Sequence, residues 1–361
     1  MGQQLRLALL PGDGIGPEVT EAARQVLEAV FNAAGITVEM TQHPVGWTAV
    51  RETGSPLPTE TLTAALAADA VFLGAVGDPE ADSLPPEQRP ERGLLALRRA
   101  LGCWANLRPV KAFPSLTEAS PLRPERLAGV DLVIVRELAG GLYYGEPRGI
   151  REAEGSDAAE AWNTMRYDAH EIRRITELGF RTAAERRGKL VSVDKANVLE
   201  VSRLWRSGVE EVAEGFPEVE WSHMLVDRAA MELVLNPAAF DVLLMGNLFG
   251  DILSDEAAAV VGSIGLLPSA SLGGATGLYE PVHGSAPELT GTDRANPIGA
   301  ILSAALLLRH SLGLPREAAA IEEAVAATLE AGVRTGDLTR AGEKPSGTAA
   351  FTREVVSRLP A

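Results

Sequence analysis

Three aspartates carry the most specific chemistry in this 361-residue chain: Asp227, and then Asp251 and Asp255 within Gly-Asn-Leu-Phe-Gly-Asp-Ile-Leu-Ser-Asp at 246–255. Asp251 and Asp255 are four apart, so a helix sets both carboxylates on one face, where like charges cost about 0.2–0.5 kcal/mol per pair. A divalent cation removes that cost. One cysteine and five histidines, none in a Cys-x-x-Cys or His-x-x-x-His pair, supply zinc or iron–sulfur chemistry poorly. Carboxylate oxygens suit Mg²⁺ or Mn²⁺. The plainer alternative is that Asp251 caps a helix and Asp255 is a solvated acid in its first turn.

Three arginines border apolar segments: Arg98 in Leu-Leu-Ala-Leu-Arg, Arg108 in Ala-Asn-Leu-Arg-Pro and Arg136 in Val-Ile-Val-Arg-Glu. Guanidinium forks pair bidentately with carboxylates, so three of them on one ligand suit a dianionic acid. Surface salt bridging is the ordinary alternative for any one of them. Lys195, in Val-Ser-Val-Asp-Lys-Ala-Asn, follows an apolar run, and an amine partly desolvated beside cations serves as a general base. Tyr143, in Gly-Gly-Leu-Tyr, is either a proton donor or an aromatic packed within a projecting arm.

These groups need a scaffold, and the apolar pattern supplies one. Leu5–Leu10, Ile36–Met40, Val71–Ala75, Leu132–Val135, Leu190–Val193 and Val242–Met245 read as strands. Pro17–Val30, Ala169–Arg187 and Val198–Glu214 between them carry apolar residues at helical spacing. The chain is therefore α/β, a sheet covered by helices. Asn296–Leu314 and Arg316–Leu329 are further helical stretches, preceded by a Gly/Ser/Pro-rich passage from Gly262 to Gly291 long enough to suggest binding. Gly140, Gly141, Gly145 and Gly149 flank Tyr143 and Tyr144 in an irregular stretch, Glu137–Asn163, that reads as a projecting hairpin. Pro-Gly-Asp-Gly-Ile-Gly-Pro-Glu at 11–18 has Gly-x-Gly-x-Gly spacing with Pro17 at a helix start, a tight strand-to-helix turn and not the Rossmann fingerprint. No P-loop and no Gly-x-Ser-x-Gly occurs.

Length and a 46% hydrophobic content suggest two lobes. Thirty-three Lys and Arg against 49 Asp and Glu give a formal charge of −16, which argues against broad nucleic-acid or anionic-membrane binding. The N-terminus lacks a long apolar segment before Pro11, and the single Cys103 fits a reducing compartment. A cytoplasmic protein is expected.

Taken together, Leu-Pro-Gly-Asp-Gly-Ile-Gly-Pro-Glu at the start, Arg-Glu-Leu-Ala-Gly-Gly-Leu-Tyr-Tyr-Gly-Glu-Pro-Arg-Gly (136–149), Val-Asp-Lys-Ala-Asn-Val-Leu (193–199), the 246–255 segment and Tyr-Glu-Pro-Val-His-Gly-Ser-Ala-Pro-Glu-Leu (279–289) resemble the β-decarboxylating dehydrogenases of the isocitrate/isopropylmalate dehydrogenase family. The likeness covers nearly the whole chain. It implies a two-domain α/β fold with a mixed sheet and no Rossmann fingerprint. The NAD-binding domain would be discontinuous (1–103 and 262–361), and a central domain (104–261) would carry the dimerisation arm and the metal and catalytic residues. It also implies a homodimer with shared active sites. Arg98, Arg108 and Arg136 would hold the malate carboxylates. Asp251 and Asp255 of one subunit, with Asp227 of the other, would hold Mg²⁺ or Mn²⁺ against the 2-hydroxyl. Lys195, working with Asp227, would accept the hydroxyl proton, and Tyr143 would reprotonate the enol. NAD would lie along His283, Gly284, Ser285, Ala286, Pro287, Glu288 and Leu289, with Asn296, Gly77 and Glu91 nearby.

Leu94 and Leu95 stand where isocitrate-type relatives carry small polar residues, which favours the isopropyl group of 3-isopropylmalate and hence leucine biosynthesis. Glu288 would bind ribose hydroxyls and repel a 2′-phosphate, favouring NAD over NADP. Three departures from the family pattern are Glu-Leu at 288–289 in place of Asp-Ile, Gly246 where many relatives have Glu, and Arg228 after the metal aspartate. The rival readings are a D-malate, tartrate, homoisocitrate or isocitrate dehydrogenase of the same family, a non-catalytic regulatory paralogue, and an all-helical prenyl-transfer enzyme using Asp251-x-x-x-Asp255.

Overall fold

A computed structural model describes residues 4–152, 158–340 and 342–360. The strands are β1 (Leu5–Gly12), β2 (Val38–Gln42), β3 (Ala70–Ala75), β4 (Ala105–Lys111), β5 (Asp131–Glu137), β6 (Arg148–Arg151), β7 (Glu160–Asn163), β8 (Lys189–Asp194), β9 (Glu220–Leu225), β10 (Val242–Met245), β11 (Pro268–Leu272) and β12 (Gly277–Pro281). The helices are α1 (Gly16–Ala34), α2 (Gly46–Thr53), α3 (Thr59–Ala67), α4 (Pro90–Ala100), α5 (Pro124–Leu127), α6 (Ala169–Ala184), α7 (Glu200–Ala213), α8 (Val226–Leu235), α9 (Asn247–Val261), α10 (Ile298–His310), α11 (Pro315–Glu330) and α12 (Thr348–Ser357). Contacts divide the chain into two compact units, Met1–Cys103 with Arg108–Ala128 and Ala258–Ala361, and Trp104–Leu107 with Gly129–Ala257. Residues 108–128, assigned from sequence to the central domain, group with the first unit because Arg334 donates to Ser115 O and Ser120 donates to Val260 O.

In the first unit the strand order is β2-β1-β3-β12-β11. β1 pairs in parallel with β2 and β3, aligning Leu7 with Met40 and Leu9 with Phe72, and β12 runs parallel to β3. β11 is antiparallel to β12, so the sheet is mixed. Leu7 to Leu10 are buried without alternation, as expected where helices cover both faces. One cover is α1, which has Pro17 in its first turn, buries Val19, Ala22, Ala23, Val26, Leu27 and Val30 at helical spacing, and ends on Gly35 in the left-handed region. Another is α10, whose apolar residues from Ile298 to Leu308 are almost all buried.

The glycine-rich turn after β1 serves packing. Gly12 and Gly14 have positive φ, and a Cβ on Gly14 would overlap the Ser285 carbonyl, to which Ile15 donates. Between those glycines Asp13 accepts from the backbone N–H groups of Trp47, Thr48 and Gly77, anchoring α2 and the loop after β3.

The second unit has the parallel order β5-β10-β8-β9. α6 starts with a capping box, in which Asp168 accepts from Glu171 N–H and Glu171 accepts from Asp168 N–H. It buries Ile172, Ile175 and Phe180. β6 and β7 form a separate antiparallel hairpin, with Gly149 opposite Trp162, whose residues 153–157 lie outside the described residues. All six strands expected from the sequence are present. β4 and β9 were not expected, and β11 and β12 lie inside the passage read as a long loop. β11 buries Ser269 and Ser271, and β12 buries Leu278 and Tyr279 between Gly277 and Glu280, so neither shows the run of aliphatics of a buried strand.

Candidate active site

Arg136 lies at the end of β5, where only about 1% of it is exposed. Its Nη1 donates to Asp251 Oδ1 at 2.5 Å, and its Nε and Nη2 donate to Asn247 Oδ1 at 3.0 and 2.8 Å. Asn247 starts α9 and donates through Nδ2 to the carbonyls of Leu138 and Gly140. Its own N–H is capped by the buried Tyr167 hydroxyl at 2.8 Å. The helix carrying the aspartates is thereby tied to the loop carrying Tyr143. Tyr143 donates its hydroxyl to Asp251 Oδ2 at 2.5 Å, and the Arg136 guanidinium sits 5.7 Å from its ring centroid. Gly250 is required where Arg136 passes, since a Cβ there would lie 2.6 Å from the arginine Cγ. At Gly246 a Cβ would lie 3.0 Å from the Tyr167 hydroxyl, a tight contact.

Lys195 leaves the end of β8, and Asp227 opens α8 directly after β9. The parallel pairing of β8 with β9 aligns Asp194 with Leu225 and so brings the two loops together. Lys195 Nζ donates to Asp227 Oδ1, and this bond holds the Asp227 carboxyl below its ordinary range. The Lys195 backbone is fixed by its N–H to Ser202 Oγ, and the turn is closed by Ala196 N–H to Asp194 Oδ1. Asp194 is buried and paired with Arg206 at 2.7 Å. Arg228 pairs with Glu232 one turn on, leaving the Lys195–Asp227 bond undisturbed.

Asp251 is part-buried and Asp255, one turn later on α9, is exposed. No three carboxylate, imidazole or thiolate groups come together as a metal-binding set among the described residues, so one chain does not join Asp227 to Asp251 and Asp255. The donor set itself, carboxylates beside a phenol, fits a hard oxygen-seeking cation.

The remaining candidates lie in the first unit. Arg98 on α4 forms a buried ion pair with Glu280 of β12 at 2.6 Å. Glu280 sits inside a motif singled out from the sequence, but nothing in the sequence links it to Arg98. Arg108 is buried in β4, and Leu94 and Leu95 are half-buried on α4. Gly77, Glu91 and Ser285 come together, since a Cβ on Gly77 would meet Glu91 Oε1 at 3.2 Å and Ser285 Oγ at 3.8 Å. In the 283–289 segment Ala286 has φ 38°, a left-handed conformation that costs a non-glycine residue of order 1–3 kcal/mol. Pro287–Leu289 is a single 3₁₀ turn with Glu288 exposed and Leu289 half-buried, and Gly284 is exposed with open space around it. His283 donates through Nδ1–H to Gly284 O, and burial pushes its pKa down, which keeps the ring neutral. Asn296 is buried before α10. Cys103 is a packing group, with burial pushing its thiol up to about 12.

Comparison with known proteins places this geometry. Residues 6–356 match the family described as isocitrate/isopropylmalate dehydrogenase. The chain is 54% identical over 359 residues to a 3-isopropylmalate dehydrogenase of Synechococcus sp. (strain CC9902), covering 99% of both sequences. It is 53% identical to one of Prochlorococcus marinus (strain MIT 9313), covering 99% of this chain and 100% of the relative. Among solved structures it is similar to isocitrate dehydrogenase from Methylococcus capsulatus, with a TM-score of 0.86 and 35% identity over 98% of this chain and 99% of that one. A β-decarboxylating dehydrogenase from Thermococcus kodakarensis gives a TM-score of 0.78 at 36% identity, covering 98% and 96%.

Proposed function

Because the chain belongs to the isocitrate/isopropylmalate dehydrogenase family, we propose that it oxidises and decarboxylates 3-isopropylmalate to 4-methyl-2-oxopentanoate and CO₂ with NAD⁺, the reaction of leucine biosynthesis. It is a decarboxylating dehydrogenase acting on a small molecule. The observation that carries the reading is that two acid–base couples are already formed, Lys195 with Asp227 and Tyr143 with Asp251. The reaction needs two such groups, one to remove the hydroxyl proton and one to return a proton to carbon.

Arg98, Arg108 and Arg136 bind the two carboxylates, and Leu94 and Leu95 receive the isopropyl group. Lys195 Nζ accepts the 2-hydroxyl proton, with Asp227 orienting the amine, while hydride leaves C2. The β-carboxylate then departs as CO₂, and Tyr143 donates its phenolic proton to C3. Asp227, Asp251 and Asp255 would hold Mg²⁺ or Mn²⁺, which would supply Lewis acidity. The segment from His283 to Leu289, with Asn296, Gly77 and Glu91, would hold NAD⁺, with Glu288 binding ribose hydroxyls.

The working unit in this reading is a homodimer in the cytoplasm, its sites shared between copies. Support comes from Val198, Leu204, Met231, Val234 and Ile252, apolar side chains between about 40% and 63% exposed on or beside α7, α8 and α9. A second copy of the chain covers them. Among the described residues no helix is long and apolar enough to cross a membrane. The test is NADH formation with 3-isopropylmalate, D-malate, tartrate, isocitrate and homoisocitrate, each with Mg²⁺ and with chelator. Metal-dependent turnover of 3-isopropylmalate above the others is expected. Turnover of only another acid would overturn the substrate, and silence on all five with verified folding would favour a regulatory paralogue.

A further inference from the structure

Asp337, in the loop between α11 and α12, belongs to no segment that the sequence singled out, yet three side chains from separate parts of the first unit converge on it. Its Oδ2 accepts from Ser263 Oγ at 2.5 Å and Asn296 Nδ2 at 2.9 Å, and its Oδ1 accepts from Thr335 Oγ1 at 2.6 Å. The loop is itself anchored, because Thr335 is fully buried and the buried Arg334 binds Ser115 O and Glu343. Asn296 is fixed from its other side by Ile298 N–H, which donates to its Oδ1 at 3.0 Å.

An asparagine amide can sit in either of two orientations, and its partners decide which. A carboxylate accepts only and a backbone N–H donates only, so Asp337 and Ile298 together permit one orientation. Oδ1 faces the start of α10 and Nδ2 faces the 335–337 loop. One Nδ2 hydrogen is left over, and its position is set by the lock. We propose that Asp337 is a positioning residue for the cofactor: by fixing the polarity of the Asn296 amide it selects adenine over a base of inverted hydrogen-bonding edge. This rests on the placement of NAD⁺ beside Asn296 given above. Hypoxanthine is the informative contrast, because it exchanges the N1 acceptor of adenine for N1–H and the 6-amino donor for a carbonyl. A locked amide fits one edge and opposes the other. Asp337 also acts electrostatically on His283, another buried group assigned to the cofactor.

The test compares NAD⁺ with nicotinamide hypoxanthine dinucleotide in the wild-type enzyme and in Asp337→Ala, Asp337→Asn and Asn296→Ala. Asp337→Ala should weaken the preference for NAD⁺ by about tenfold, the effect of losing one hydrogen bond to a charged group. The change should fall on the KM for the dinucleotide and not on the KM for the hydroxy acid. Asp337→Asn should restore most of the preference, since the Thr335 hydroxyl can rotate to accept from the new amide while Ser263 and Asn296 still donate to its carbonyl. That rescue also covers the case in which the alanine variant folds poorly. In the Asn296→Ala background, Asp337→Ala should have no further effect on the ratio. If Asn296→Ala shifts the ratio and Asp337→Ala does not, the positioning role is overturned while the cofactor site stands. If Asn296→Ala leaves both KM values and the ratio unchanged, the placement of the cofactor beside Asn296 falls, and the inference with it.

Discussion

Lys195 and Asp227 are each the other's nearest charged partner, and this bond carries two predictions about the residues themselves. Lys195→Met should lower kcat by ~10²–10⁴-fold, the range for loss of a general acid–base group. Steady-state NADH formation measures it, and near-normal turnover would remove the lysine from the mechanism. The same substitution should let the Asp227 carboxyl titrate nearer its ordinary value, because the hydrogen bond from Lys195 is the leading cause of its lowered pKa. Carboxyl NMR of the metal-free protein follows that shift. Glu288, exposed in its 3₁₀ turn, predicts that Glu288→Lys improves NADP⁺ use relative to NAD⁺, read as the ratio of kcat/KM values. An unmoved ratio would mean that this turn does not meet the ribose. The charged candidates were legible because carboxylates, guanidiniums and amines stand out by type and spacing. The groups that hold them were not. Asn247, Tyr167 and Asp337 are common residue types, and their use depends on long-range neighbours: Tyr167 meets α9 eighty positions away and Asp337 reaches Asn296 across forty-one.

At the scale of elements, α6 offers the cleanest test of how the second unit is held. Its capping box satisfies two end N–H groups and fixes where the helix begins beneath β5 and β10, so Asp168→Ala should cost about 1 kcal/mol of stability in urea denaturation. An unchanged midpoint would show that packing of Ile172, Ile175 and Phe180 suffices. Glu137, at the end of β5, is fully buried; its two oxygens accept from Ala139 N–H and Gly140 N–H, and Arg174 lies 3.7 Å away. Burial pushes its pKa up to about 7 from the ordinary 4.5. Between those values the folded protein holds a proton that the unfolded chain has released. Stability from this group therefore falls as pH rises from about 4.5 to about 7 and is level above that. Glu137→Gln should flatten that part of the profile in denaturation measured across the window, and an identical slope would assign it to other groups. The strands legible from sequence are the ones built of consecutive aliphatics, such as Leu7–Leu10 and Val242–Met245. β11 escaped because its burial includes Ser269 and Ser271, with Ser303 Oγ of α10 accepting from Ser269 N–H, and β12 because its buried Leu278 and Tyr279 stand between Gly277 and the charged Glu280. Tertiary cover there replaces the local apolar signal.

For the whole molecule the decisive question is how many chains make one site. Asp251 and Asp255 share α9, Lys195 and Asp227 are paired at the ends of β8 and β9, and no set of three acids forms among the described residues of one chain. A symmetric dimer resolves this if each site takes Lys195 and Asp227 from one copy and Asp251 and Asp255 from the other. Two inactive variants then become mutually corrective. A dimer pairing Lys195→Met with Asp251→Asn contains one site carrying both substitutions and one carrying neither. With random exchange half the dimers are mixed and each has one intact site of two, so about a quarter of wild-type activity should return. Refolding the variants together, with mass spectrometry to confirm mixed dimers, measures this. Recovery near that fraction requires residues from two chains in every working site. Mixed dimers without activity would mean that each site carries one of the two substitutions, so that each copy assembles its metal and its base from its own residues.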